Sequence, residues 1–461
     1  MNSSKLEFCE QCDIFIGGLF PIHGPKYARH SKKTPDDQFS SNSESINYFS
    51  TTTTMSVDSY IQSEIICGEI KKERGIQRLE AMLFAIDLIN NSTNLLPNLK
   101  LGARIYDTCD RDTIAMEKSL NFVSDYFLLK EENIANDFTC LSNNPSLRDL
   151  ANNFKPKKNK DAIHKRKVVG VIGAASSSVS IQVPQISYAS TSPELSNKER
   201  FPFFSRVLPS DTLQAEAMAN LVHSLNWNYI ATLNEEGNLG GIDSFISNAK
   251  SKNICISGSY TLSQTASEDD VKAILMEMFE QKNARGVVVF LQDHNVRKLL
   301  KLVKDLNMTR HFLWIASDSW GTKIESIRSN NLAAEGAITF APKSFIIKEF
   351  SNYFQKLRPG KNIRNPWFEE FWQDEFKCRI ENPIFQSNRR PSYTKLCTGH
   401  ETLNITQDGF IHFVIDSVFA IAHAIQDLIF AHCSKLNFND LINCQHKIIF
   451  KGPDFLNAIR N

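Results

Sequence analysis

Four stretches of this 461-residue chain gather groups able to hold a carboxylate or an ammonium. VVGVIGAASSSVS ends a strand-like run in small and hydroxyl residues and then opens a helix. Free backbone N–H groups there, with the hydroxyls of Ser176, Ser177 and Ser178, suit an anion such as a carboxylate. The same residues also make ordinary helix caps, so both readings stay open. SYASTSPELS (187–196) repeats the arrangement with Ser190 and Thr191, and with the same two readings. Asp211 in RVLPSDTLQ suits an N-cap or an ammonium partner, and Asp318 in SDSW suits a plain loop or the same partner.

No other chemistry competes with binding. There is no P-loop, no G-x-G-x-x-G after a strand, no H-E-x-x-H and no G-x-S-x-G, so no nucleophile finds its base and no cofactor is implied. His223, His294, His412 and His423 lie on helical patterns and read as core or surface residues. The formal net charge is +1, with 52 Lys+Arg against 51 Asp+Glu. Such a balance leaves no footprint for nucleic acid or an acidic membrane surface. Ten cysteines, with sequons at Asn2, Asn90, Asn91, Asn307 and Asn404, fit a secreted-type domain. Cys9 and Cys12 form a lone C-x-x-C, either a redox or zinc half-site or simply unpaired or locally bonded thiols.

These groups need elements to carry them. DIFIGGLF (13–20), KLGARIYD (100–107), VVGVI (168–172) and QISYA (185–189) read as strands, and 75–91 and 112–129 as helices. From Asp211 onward, helices at 211–225, 240–251, 266–282 and 295–306 alternate with the strands NYIATL, ICISGSY, GVVVFL and FLWIAS. Such alternation specifies parallel sheets with helices on both faces. The expected fold is α/β, with two doubly wound lobes: 13–205 with 343–461, and 206–342. The polar segments 31–60 and 131–166 read as flexible insertions. Phe410–Cys433 is the most apolar run, but it carries Asp416, His423 and Asp427 and reads as a buried core helix.

In order, GIQRLEAMLFAIDLIN, GVIGAASSSVSIQV, PQISYASTSPELS, RVLPSDTLQAEAM, NWNYIATLNEEGNLG and RNPWFEEFWQDEFKC resemble the ligand-binding domain of the metabotropic glutamate receptors, class C G-protein-coupled receptors. The resemblance runs from about residue 13 to 461, and RNPWFEEFWQ is specific to that class. It implies a two-lobed, periplasmic-binding-protein-like Venus flytrap that closes on an L-α-amino acid, glutamate first. It implies the extracellular side of a cell membrane, with a leader and a membrane part lying outside these residues, and a G protein reached only through that part. A soluble amino-acid-binding protein and a non-signalling receptor fragment are the alternatives.

The resemblance also implies roles. Ser177 and Thr191 would hold the α-carboxylate with the Ser190 backbone, Asp211 and Asp318 the α-ammonium, and Arg78 the distal carboxylate, with Lys323 keeping a charge nearby. Leu239, Phe410 and Arg74 stand where the family usually has an aromatic ring, a lysine and a tyrosine, so its glutamate-selecting part is depleted. Cys67 with Cys109, Cys378 with Cys397 and Cys433 with Cys444 resemble intralobe disulfides. Cys140 resembles the intermolecular one of a homodimer, and Cys255 the link to a cysteine-rich domain. The connection 173–184 is short for a family helix that lines the dimer interface, so association through that face is expected to be weak.

Overall fold

A computed structural model describes residues 5–8, 12–25, 67–122, 168–182, 185–236, 239–321, 327–385, 393–404, 406–433, 444 and 452–460. Lys323, Cys140 and the expected insertions 31–60 and 131–166 lie outside the described residues.

The first sheet runs β1 (Lys5–Phe8), β3 (Leu101–Asp107), β2 (Ile14–Phe20), β4 (Val168–Ile172), β5 (Ile186–Ser187), β6 (Ser205–Arg206). All its pairs are parallel except β1 with β3. β1 corrects the expectation of a purely parallel sheet. KLEF is too short for its alternation to stand out, yet Leu6 is buried and Glu7 reaches Arg104 at 3.1 Å. The crossover from β4 to β5 is made by a short helix, α2 (Ser177–Gln182); α1 (Arg78–Asn90) comes earlier in the chain. QISYA keeps only two strand residues, because Tyr188 to Thr191 turn away to build the site described below.

α3 (Asp211–Ser224) starts the second sheet, which orders β11 (Ile338–Thr339), β10 (Leu313–Ala316), β9 (Gly286–Phe290), β7 (Tyr229–Glu235) and β8 (Cys255–Leu262), all parallel. α4 (Leu239–Ser251), α5 (Glu268–Glu280) and α6 (Asp293–Asp305) are its crossovers. Successive strand residues point to opposite faces, and the cores follow this rule. Val287, Val289 and Trp314 pack with Leu275 and Leu299 beneath α5 and α6. Val288, Phe290 and Ile315 pack with Met218 and Phe245 beneath α3 and α4. Apolar side chains on both faces of one strand are what a doubly wound sheet demands.

The chain then returns to the first sheet through α7 (Lys348–Lys356), α8 (Phe368–Phe376), α9 (Ile411–Cys433) and α10 (Gly452–Arg460). By length and composition α9 could cross a membrane. Here it packs on α1, α10 and β4 and buries Val414, Val418, Ile421 and Ile425 in the largest core. RNPWFEEFWQ and the residues shortly before it buttress α1. Asn362 and Asn365 each donate to Glu80 Oε1 at 2.7 Å, Tyr353 donates to Glu80 Oε2 at 2.8 Å, and Arg364 donates to Asp87 at 2.7 Å. Burial raises the pKa of Glu80, and these donors work against that rise.

Disulfides join Cys67 to Cys109, Cys378 to Cys397 and Cys433 to Cys444. Cys12 is also disulfide-bonded, which removes the zinc reading for it, and Cys255 is a free, exposed thiol. Beside the Cys67–Cys109 bridge, His23 lies between Asp107 (Nδ1 to Oδ2, 2.5 Å) and Glu370 (Nε2 to Oε1, 3.3 Å). Burial alone would lower its pKa, but the two carboxylates carry it up to about 9. A histidine raised in this way stabilises the fold fully below about pH 6.5, and that contribution is lost as pH rises through 9. Thermal melts of the parent and of His23→Gln are therefore expected to diverge by about 2–3 kcal/mol at pH 6 and to converge near pH 10. Melting curves that stay parallel across that window would rule the ion pair out as a stabiliser.

Candidate functional site

In parallel sheets the loops beyond the carboxyl ends of the strands carry ligands. Here those ends of the two sheets face one cleft holding about 520 Å³ of space, part of it open to solvent. On the first-sheet wall, Ala175, Ser176 and Ser177 lead into α2, with Ala189 and Thr191 beside them. Ser177 Oγ accepts from the Ser192 N–H at 3.2 Å, tying the two hydroxyl-rich stretches together. Ser190 stands behind this wall, fully buried, its hydroxyl bonded to Ser180 and to the carbonyls of Ala174 and Ser176. Its N–H donates to Ser187 Oγ at 2.8 Å, so Ser190 braces the loop that presents Thr191.

The opposite wall begins at α3. The Asp211 N–H donates to the Thr191 carbonyl at 2.9 Å, placing the first turn of α3 against the first-sheet loop. Gly240, at the start of α4, closes the same junction: a Cβ there would come within 2.9 Å of the Pro193 ring. Gln214, one turn after Asp211, grips Asp318 with both ends of its amide, donating to Oδ1 and accepting from the backbone N–H, each at 3.1 Å. Burial and the nearby Asp318 carboxylate push the Asp211 pKa up to about 7, against opposing effects of Thr191 and Arg206. The two carboxylates thus share one corner of the cleft and repel each other, a repulsion that a positively charged group would relieve.

The far end of the cleft is basic. Gly75 lets a π-type turn, Lys72–Gln77, press on the end of β2, where a Cβ would sit 2.8 Å from Ile22 Cα. That turn delivers Arg74 and Arg78. Gln77 clamps the segment 406–408 through the Thr406 carbonyl and the Asp408 N–H, each at 3.0 Å. Asp408 then accepts from Arg78 Nε at 2.5 Å. The Arg78 guanidinium lies 4.6 Å from the Phe410 ring and 5.6 Å from that of Tyr188. Its Nη1 is buried without an acceptor among the described residues, and so is Nε of Arg74. An N–H buried and unmatched costs about 1–3 kcal/mol, so two of them in one cleft call for an anion.

Arg78, Ser177, Thr191 and Asp318 thus line one cavity, and Asp211 adjoins it through Thr191 and Asp318. Phe410 lies with its ring against the Arg78 guanidinium, and Leu239 opens α4. Sequence reasoning passed over Gln292 and Ser319, which also line the cleft. Both closely follow strand ends, the signal that found the other residues.

Residues 77–461 match the model of the family described as "Receptor family ligand binding region". The chain is 39% identical over 441 residues to metabotropic glutamate receptor 4 of Rattus norvegicus, covering 92% of this chain and 42% of that protein. It is 38% identical over 464 residues to metabotropic glutamate receptor 8 of Rattus norvegicus (97% and 44%). With metabotropic glutamate receptor 6 of Mus musculus it shares 40% over 383 residues (80% and 42%). The chain therefore spans less than half the length of these curated relatives. With this match laid over the cleft between its two sheets, the chain belongs to the family of receptor ligand-binding regions, alongside those of the metabotropic glutamate receptors.

Proposed function

We propose that this chain is the extracellular amino-acid-sensing part of a metabotropic glutamate-type receptor, with lobes 13–205 plus 343–461 and 206–342 closing on an L-α-amino acid. The cleft itself supports this reading most directly. Hydroxyls and amides line one wall, two mutually repelling carboxylates stand on the other, and guanidinium N–H groups unmatched among the described residues lie at the far end. Ser177 and Thr191 take the α-carboxylate, Asp211 and Asp318 the α-ammonium, and Arg78 Nη1 an acidic side chain. Glutamate ranks first because Arg78 already has its Nε neutralised by Asp408 and keeps one N–H for a ligand. Signalling through a G protein, and pairing of two chains, belong to the longer receptor.

The glutamate end is weaker than an ammonium donor in place of Phe410 would make it. A hydrogen bond to a charged group is worth about 1.5–3 kcal/mol, roughly ten- to a hundredfold in affinity. Calorimetric titration with glutamate, aspartate, glutamine and apolar amino acids tests the reading. Glutamate is expected to bind best, with a Kd on the order of micromolar or weaker. Absence of binding by every amino acid would overturn the assignment.

A further inference from the structure

Three cations at the basic end are each matched by an acid: Lys71 by Asp110, Arg78 by Asp408, and Arg74 by Asp293. The first two pairs lie on the first-sheet side. The third crosses the cleft, for Arg74 precedes α1 whereas Asp293 opens α6, and its Nη1 to Oδ1 distance is 3.7 Å. Burial works against the charge on Arg74, and Asp293, Asp110 and Asp408 together more than offset it.

The backbone that carries Asp293 is anchored, while its side chain has a choice of partners. Glu235, fully buried at the end of β7, accepts from the Gln292 N–H at 3.1 Å and from the Asn295 amide at 2.9 Å, capping the start of α6 from another element. Asp293 also has a second cation, Arg297, at 3.2 Å one turn along α6. It can therefore leave Arg74 without losing every charged partner.

We propose that Asp293 determines the selectivity of the cleft by acting as a tethered stand-in for an acidic ligand side chain on Arg74. This rests on the amino-acid reading of the same cleft. A glutamate side chain entering between Arg78 and Arg74 must displace Asp293 or share Arg74 with it, and glutamine of the same shape meets no such charge. The present Asp293 thus narrows the preference for acidic over neutral ligands.

The experiment compares glutamate and glutamine by calorimetry on the parent, Asp293→Asn, Asp293→Ser and Arg74→Gln/Asp293→Asn chains, with circular dichroism confirming the fold. Removing the competing carboxylate is expected to tighten glutamate roughly tenfold and to change glutamine less than about twofold. The serine variant keeps a helix-capping hydroxyl and is expected to behave likewise. In the double variant the gain for glutamate disappears. Equal shifts for both ligands, weaker glutamate binding, or a gain that persists without Arg74 would overturn the proposal. A parent chain that binds neither ligand would overturn the amino-acid reading along with it, so the two failures are told apart at the first titration.

Discussion

Replacing Asp211 by Asn is expected to abolish amino-acid binding while raising the melting temperature at pH 8. Asp211 sits partly buried beside Asp318 with its pKa pushed up to about 7. A bound α-ammonium would relieve the repulsion between the two carboxylates. Neutralising one acid leaves the ammonium desolvated against a single partner, a loss of about 2–5 kcal/mol, or thirtyfold to several thousandfold. The stability effect has the opposite sign. An acid whose folded pKa lies above its unfolded value of about 3.9 stabilises the fold below that value and loses this contribution as pH rises through 7. At pH 8 the parent therefore carries the cost of an ionised, crowded Asp211, and Asn does not. After discounting for solvent screening, the gain is about 1–3 kcal/mol. Parent affinity should also fall roughly tenfold from pH 8 to pH 6 as Asp211 takes up its proton, and the Asn variant should show no such slope. Titration and melting of the same preparation decide the matter. An Asn variant that binds within threefold of the parent, or melts below it, would refute the assigned role.

Arg78 gives the second large effect, and a pair of variants separates scaffold from site. The Arg78–Asp408 pair is nearly sealed from water, with side chains 1% and 8% exposed. Arg78→Leu takes away the buried guanidinium that pairs with Asp408, which costs about 3–5 kcal/mol of stability. Leucine at both positions removes the carboxylate as well and should recover most of that loss, because an apolar replacement of a buried ion pair is often neutral. Neither chain should bind glutamate detectably, since the distal N–H is gone from both. A double variant that regains binding along with stability would show that Arg78 acts only as scaffold. A single variant as stable as the parent would show that Asp408 finds water in its place.

The sequence made the second sheet legible from Asp211 onward because short strand-like runs, β9 the most apolar of them, alternate there with longer helical stretches. The first sheet was harder to read. β5 and β6 keep two residues each, and β1 only four, lengths at which alternation carries no signal. At the site, strand-end residues such as Ser177, Thr191 and Asp318 could be found because position in a βα unit predicts exposure to a ligand. Asp408 and Gln77 could not. Their roles depend on contacts with residues about 330 positions away, and no local pattern encodes a pairing at that range. Ser190 shows the converse limit. The sequence offers its backbone to an anion, and only the packed structure reveals that its N–H is already accepted by Ser187 Oγ.

α9 is a helix that must suit two solvents. Folded, it is a core element whose apolar face is taken by α1 and α10. By length and composition the same 23 residues would also fit a bilayer. An aspartate at mid-helix costs about 2.5–3.5 kcal/mol to place in a bilayer. Asp416 and Asp427 both sit on the exposed face of α9, so the charges that fit the folded helix to water are the same ones that make its insertion into a bilayer unfavourable.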